Sequence, residues 1–345
     1  MIARQGDGRE IMITKRKITR RLIFSGTALI FTVLLLFVTL GSCQISYLTQ
    51  AIAGHLRIMN SRHPIEKILK KDNLDLETKD KLKLVLDIHA FAIRDLGLPD
   101  NKSYTLYSEI REEYPGWNVY CTQKFSVEPE TWCFPVAGCV VYHGYFKKEK
   151  ASEFAVKMKK QGLDVYMAPF TAYSTLGWYN DPILSTHLRY DSIQLAGLII
   201  HELAHQKFYK SGDSRFSEGF AVTVERAGVL RWLSSLGRED QIARAIKEWD
   251  ETDQVVDRML KARSDLNDLY QSHHDTIFLL KQKDSILNGL GRDLMITHKK
   301  LNNANLVPIS TYHSLIPYFQ GILDSCGGNF QAFYEEVKVR QKKVK

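Results

Sequence analysis

His201-Glu202-Leu203-Ala204-His205 places two histidines four residues apart with a glutamate between them. A helix turns about 100° per residue, so side chains at i and i+4 project from one face. Two imidazoles at that spacing can share one Zn²⁺. The glutamate then lies where it can take a proton from a water whose pKa the metal lowers toward ~7. The reading without a metal is a pair of hydrogen-bonded core histidines beside a salt-bridged glutamate.

The flanking sequence must hold these groups in place. Asp191 and Gln194 have capping-box spacing, and the apolar run Ile193, Leu195, Ala196, Leu198, Ile199, Ile200 follows directly. This predicts a buried helix running through the motif to about Tyr209, broken by Gly212-Asp213. Buried histidines and a glutamate are costly unless something satisfies them, and a metal would. A second helix, from Ser217 to Glu225, carries two acids seven apart, on one face but about 10 Å apart along the axis. One of them can reach a given metal. A short connection makes the helices antiparallel neighbours, which brings Glu218 closest and makes it the third ligand. Glu225 is then a partner for a zinc histidine or for Arg226, or an ordinary helix-pairing acid.

A His-Glu-x-x-His helix followed by Glu218-Gly219-Phe220-Ala221 resembles the gluzincin metallopeptidases. More closely, Trp132 to Cys139, Ala172 to Trp178, His201 to Gln206 and Phe216 to Trp232 resemble a family of predicted aminopeptidases of Gram-negative bacteria. Asn302-Asn303-Ala304 and Tyr312-His313 extend the likeness. The resemblance implies an α+β, largely helical gluzincin-like fold, with a small mixed β-sheet before the zinc helix. It implies Zn²⁺ as cofactor, held by His201, His205 and Glu218, with Glu202 as general base. In that order of elements an edge strand binds substrate backbone by strand addition; Phe170 to Ser174 is the candidate. Tyr173 is a candidate donor to the oxyanion or a packing residue. Gluzincins often use a tyrosine or histidine from beyond the zinc helices, so Tyr312 and His313 compete with it. Asp181 is a candidate to orient a zinc histidine. Large gluzincin aminopeptidases hold the substrate amine with a Gly-x-Met-Glu-Asn segment, which this chain does not contain. Exopeptidase and endopeptidase stay open. The alternative is an envelope lipoprotein that holds zinc without turnover.

Residues 1–42 read as a signal peptide. Basic residues precede an apolar run from Leu22 to Leu40, which ends at Leu40-Gly41-Ser42-Cys43. The resemblance of this segment to bacterial lipoproteins implies acylation of Cys43, and Gln44 favours the outer membrane. An uncleaved membrane anchor is the competing reading, since ~19 apolar residues can just span a bilayer. Either way the chain is expected to be membrane-tethered and to face the periplasm, with peptides or proteins as substrate. Of the net charge of +8, residues 1–42 carry +5 (seven basic against two acidic), leaving +3 for the rest. The basic balance therefore gives no reason to expect a nucleic-acid partner. In an oxidising compartment Cys133 and Cys139 are the natural disulfide pair; two small buried thiols are the alternative.

Helical spacing predicts an N-terminal helical segment over 43–100, with helices at 44–59, 65–71 and 76–96. A catalytic core follows over 101–235, with strands at 104–106, 117–121, 140–146 and 163–169 and a helix at 147–161. Residues 236–345 read as a helical region packed on that core, with an α-hairpin from 241–263 and 264–300.

Overall fold

The computed structural model describes residues 42–134, 138–272, 274–296 and 300–343, and side chains except those of 42–46, 134, 312, 342 and 343. Residues 1–41 of the expected signal peptide, the Cys43 side chain and the Tyr312 side chain lie outside the described part. No helix of the described residues is long and apolar enough to cross a membrane. The chain divides into two compact units, Met1–Gly54 and His55–Lys345; the boundary falls within the first helix, α1 (Ser42–Asn60).

The chain is α+β and largely helical. After α1 come β1 (Arg62–Pro64), the one-turn α2 (Ile65–Ile68), α3 (Leu76–Leu96), β2 (Leu106–Ser108) and β3 (Gly116–Thr122). The hairpin β4 (Trp132–Phe134) and β5 (Gly138–Val140) leads to β6 (His143–Tyr145), α4 (Lys148–Lys160), β7 (Asp164–Phe170) and β8 (Ile183–Leu184). Helices α5 (Ser192–Lys207), α6 (Ser214–Ser235), α7 (Glu239–Gln271), α8 (Thr276–Asp293), α9 (Val307–His313), α10 (Ile316–Ser325) and α11 (Phe330–Lys343) complete it.

Two three-stranded sheets have the orders β1-β2-β8 and β6-β3-β7, and β4-β5 form a separate pair. β7 pairs with β3 along its whole length, from Gly116 opposite Phe170 to Thr122 opposite Asp164, and stands at the edge of its sheet. The edge strand thus covers 164–170, earlier than the Phe170–Ser174 segment expected from sequence. Beyond Phe170 the chain leaves the sheet and becomes a loop. Asn302 covers part of the exposed edge, its Nδ2 donating to the Val165 carbonyl at 3.1 Å.

The main core lies among α3, α5, α6, α10 and α11. It includes Leu82, Ile88, Leu96, Ile199, Leu203, Phe220, Val224, Phe319 and Phe333, all nearly or fully buried. Phe220 stacks on Phe333 with centroids 5.6 Å apart. Burial on every side explains why α5 is apolar almost all round. Gly228 admits Leu96, which would stand 2.7 Å from a Cβ there.

The first helix of the α-hairpin runs to Gln271 and the second starts at Thr276, about ten residues later than the leucine pattern suggests. Nothing between 263 and 264 stops a helix, whereas Asp275 caps α8, its carboxylate accepting from the N–H groups of Ile277 and Phe278. A cap outweighs a shift of stripe.

Candidate metal and catalytic site

The site is built on two consecutive helices. Asp191 and Gln194 form the capping box that starts α5, with the Gln194 N–H donating to Asp191 Oδ1 at 2.9 Å and the Asp191 N–H donating to Gln194 Oε1 at 3.2 Å. α5 stops at Lys207. Asp213 then caps α6 by accepting the Phe216 N–H at 3.1 Å. The six residues between, 208–213, turn the chain back, so the start of α6 faces the end of α5.

This turn brings His201, His205 and Glu218 together, the cluster among the described residues that could hold a metal ion. The Nε2 atoms of His201 and His205 are 3.1 Å apart, and each lies close to Glu218 Oε2, at 3.2 and 3.3 Å. Ligand atoms bound tetrahedrally at ~2.0–2.1 Å stand about 3.3 Å from one another, so the triangle has the size a zinc ion needs. Its charge points the same way. Burial alone would press the His201 imidazole down, but hydrogen bonds to Glu218 and Glu225 outweigh it and hold the group well above its ordinary pKa. Burial pushes Glu218 up, yet the two histidines bring it down to about 2. Two carboxylates against one imidazole demand positive charge, which a proton or a divalent cation can supply.

Glu225 lies two turns further along α6, and His201 Nδ1 donates to its Oε2 at 2.9 Å. That bond fixes the tautomer and leaves Nε2 as the ligand atom. Gly197, one turn before His201, makes room for it: a Cβ there would stand 3.0 Å from Glu225 Oε1. Arg226 does not pair with Glu225. Its guanidinium makes a two-pronged ion pair with Asp253 on α7, both bonds 2.7 Å.

Glu202 is 7 % exposed. Burial holds its carboxyl above the ordinary carboxylate range, against the opposing pull of the His201 and His205 charges.

Two other sequence candidates, Tyr173 and Asp181, are hydrogen-bonded to residues outside this triangle. Tyr173 shares a hydrogen bond of 2.6 Å with His55 Nδ1, which occupies its hydroxyl. Asp181 is fully buried, but its carboxylate accepts from Thr175 Oγ1 at 2.6 Å, the Thr175 N–H at 3.0 Å and Ser174 Oγ at 3.3 Å, not from a zinc histidine. It anchors the 174–181 loop. His313 stands among the charges of Arg226, Asp253 and Glu225. Cys133 and Cys139 face each other across β4 and β5 and are joined by a disulfide. That hairpin abuts the turn between the ligand helices, since a Cβ on Gly138 would meet Ser211 Oγ at 2.6 Å.

Three tyrosines that sequence reasoning passed over do reach the site. The Tyr209 ring meets the edge of His205, with centroids 6.1 Å apart. Tyr209 and Tyr120 both feel the Glu218 charge; burial raises each phenol, Tyr120 to about 12. Tyr104 is buried, and burial with the charge of Glu202 holds its phenol well above the ordinary range. Tyr209 follows His205 by four, the same spacing that relates the two histidines, so a signal for it existed. Tyr104 and Tyr120 arrive through long-range packing and left none.

A family model described as "putative aminopeptidase" matches residues 46–345. No curated protein and no solved structure matches the chain.

Proposed function

From the premise that the chain belongs to this aminopeptidase family, we propose that it is a zinc-dependent peptidase of gluzincin type. The observation that carries the reading is the triangle of His201, His205 and Glu218 with Glu202 beside it. A purely structural zinc site usually closes its fourth position with protein; here three side chains converge and the neighbouring residue is a base.

His201, His205 and Glu218 would hold the ion. When bound, it supplies Lewis acidity, lowering the pKa of water and polarising a peptide carbonyl. The rest is done by the chain itself. Glu202 accepts the proton of the attacking water at its carboxylate and passes it to the leaving nitrogen. Glu225 keeps His201 in the tautomer that presents Nε2. Tyr209, held protonated by burial and set against His205, donates to the developing oxyanion. It takes the role for which Tyr173, Tyr312 and His313 were the sequence candidates. The exposed part of β7 accepts substrate backbone as an added strand.

The apolar segment before Cys43 tethers the catalytic body, so the enzyme works at the envelope of a Gram-negative cell, facing the periplasm. Residues 101–235 are its catalytic core, flanked by helical regions at 43–100 and 236–345.

Hydrolysis of peptide pools with free and with acetylated N-termini tests the reaction and its class. Aminopeptidase action removes single residues from free N-termini and spares blocked ones; endopeptidase action cuts both. In either case Glu202→Gln loses most turnover. Wild-type hydrolysis by that variant would refute the mechanism.

A further inference from the structure

Of the five tryptophans, Trp178 alone is exposed, with 72 % of its area open to solvent. An indole carries one of the largest apolar areas of any side chain, so leaving it in water is costly. The loop that carries it is nonetheless closely built. Thr175 Oγ1 donates to Asp181 Oδ1 at 2.6 Å and accepts the Tyr179 N–H at 3.0 Å. The Trp178 N–H donates to the Thr175 carbonyl at 3.2 Å. Leu176 stands in the left-handed region, at φ +56°, which a residue with a side chain rarely adopts. Tyr179, the neighbouring aromatic, meets the His55 ring with centroids 5.1 Å apart. A strained backbone and an exposed indole both cost stability, and a loop that bears both costs is one that binds something.

The loop stands beside the metal site. Gly177 presses on Gln206 so closely that a Cβ would stand 3.1 Å from the carboxamide. Gln206 is itself held, its Oε1 accepting from Asn101 Nδ2 at 2.7 Å. It directly follows the ligand His205 and lies four residues after Glu202, so the Glu202 and Gln206 side chains are neighbours on α5. Helix rotation sets Gln206 about 40° from Glu202 but about 140° from His201. The loop therefore meets α5 on the side of the general base, which is the side from which a substrate must approach. Trp178 is the next residue after this contact, so its indole is tethered at the rim of the site.

We propose that Trp178 is a specificity-determining residue, its indole packing against a bulky apolar side chain of the peptide close to the scissile bond. The loop is already fixed by Asp181 and Gln206, so binding there orders little that was free. Leucine or phenylalanine beside the cut gains from covering the indole, whereas glycine has nothing to bury. The inference rests on the peptidase reading and adds to it the class of peptide preferred.

Trp178→Ala removes an exposed side chain that supports no core, so fold and zinc content should hold. Two sets of peptides, varied to Phe, Leu, Ser or Gly on either side of the cut, compete for the full chain, with products read by mass spectrometry. In one set kcat/KM should be ~10-fold or more higher for Phe and Leu than for Gly. Trp178→Ala should level that difference, and Trp178→Phe should keep much of it. A wild type without the preference, or the same preference in Trp178→Ala, overturns the proposal. Quenching of the Trp178 emission by brominated phosphatidylglycerol vesicles, with peptide selectivity unchanged in Trp178→Ala, would assign the indole to lipid and overturn it too. Binding is read without turnover in Glu202→Gln. There the Phe peptide should bind ~10-fold more tightly than its Gly counterpart, and the two equally once Trp178→Ala is added; equal affinities in Glu202→Gln itself overturn the proposal. A wild type that cleaves none of the peptides would sink the peptidase reading, and the binding comparison would still decide the contact.

Discussion

Glu225 Oε2 accepts the Nδ1 proton of His201 at 2.9 Å, and its other oxygen sits where a side chain on Gly197 would have to be. One carboxylate thus ties α6 to the first metal ligand through a space that a glycine keeps open. Partners of this kind typically account for ~10–100-fold in metal affinity. Glu225→Ala should weaken zinc binding by that amount, read by competition with a chromogenic chelator. Wild-type affinity in the variant would remove Glu225 from the site.

Gly197→Ala tests the same relationship from the other helix. On helix propensity alone the substitution should stabilise by ~1 kcal/mol. The added methyl would instead stand 3.0 Å from Glu225 Oε1, so zinc affinity should fall toward the Glu225→Ala value. A more stable protein with undiminished zinc binding would show that the carboxylate relocates at no cost.

The tyrosines separate by partner. Tyr209 lies against His205, whereas the Tyr173 hydroxyl is committed to His55. Tyr209→Phe should lower kcat by ~10–100-fold with zinc retained, and Tyr173→Phe should change it by less than ~3-fold. The reverse order in peptide hydrolysis would return the oxyanion role to Tyr173.

His187 gives a pH prediction remote from the metal. It is buried; the Leu184 N–H donates to its Nδ1 at 3.2 Å, and its Nε2–H donates to the Thr171 carbonyl at 2.8 Å. Both bonds suit the neutral ring, and burial lowers its pKa to about 4. Since the unfolded histidine titrates near ~6.5, the unfolded chain binds the extra proton between those values. Stability from this group is present in full above pH ~6.5 and is lost as pH falls toward 4, on the order of 3 kcal/mol in all. His187→Gln should flatten that limb of the melting-temperature profile between pH 7 and 4.5. An identical slope in both proteins would contradict the burial argument.

The parts of the site that could be read in the sequence are local ones. The i, i+4 histidines, the Asp191–Gln194 box and the short turn before Glu218 each lie within a few residues. Helix geometry alone carries them to the triangle seen here. The Tyr173 hydroxyl meets His55 across 118 positions, a contact no spacing announces. Asp181 was expected to orient a zinc histidine; its carboxylate instead accepts from Thr175 and Ser174 in the loop that it closes, partners the sequence does not announce. The edge strand was misplaced for a related reason. Phe170 to Ser174 has strand composition, but pairing with β3 ends at Phe170 opposite Gly116.

Zinc content of the full chain, measured by elemental analysis beside His201→Ala, Glu218→Ala and Glu202→Gln, bears most directly on the whole reading. The account predicts about one zinc per chain in the wild type and in Glu202→Gln, and little in the two ligand variants. No zinc in the wild type after the metal is added back, or equal zinc in all four proteins, would contradict it.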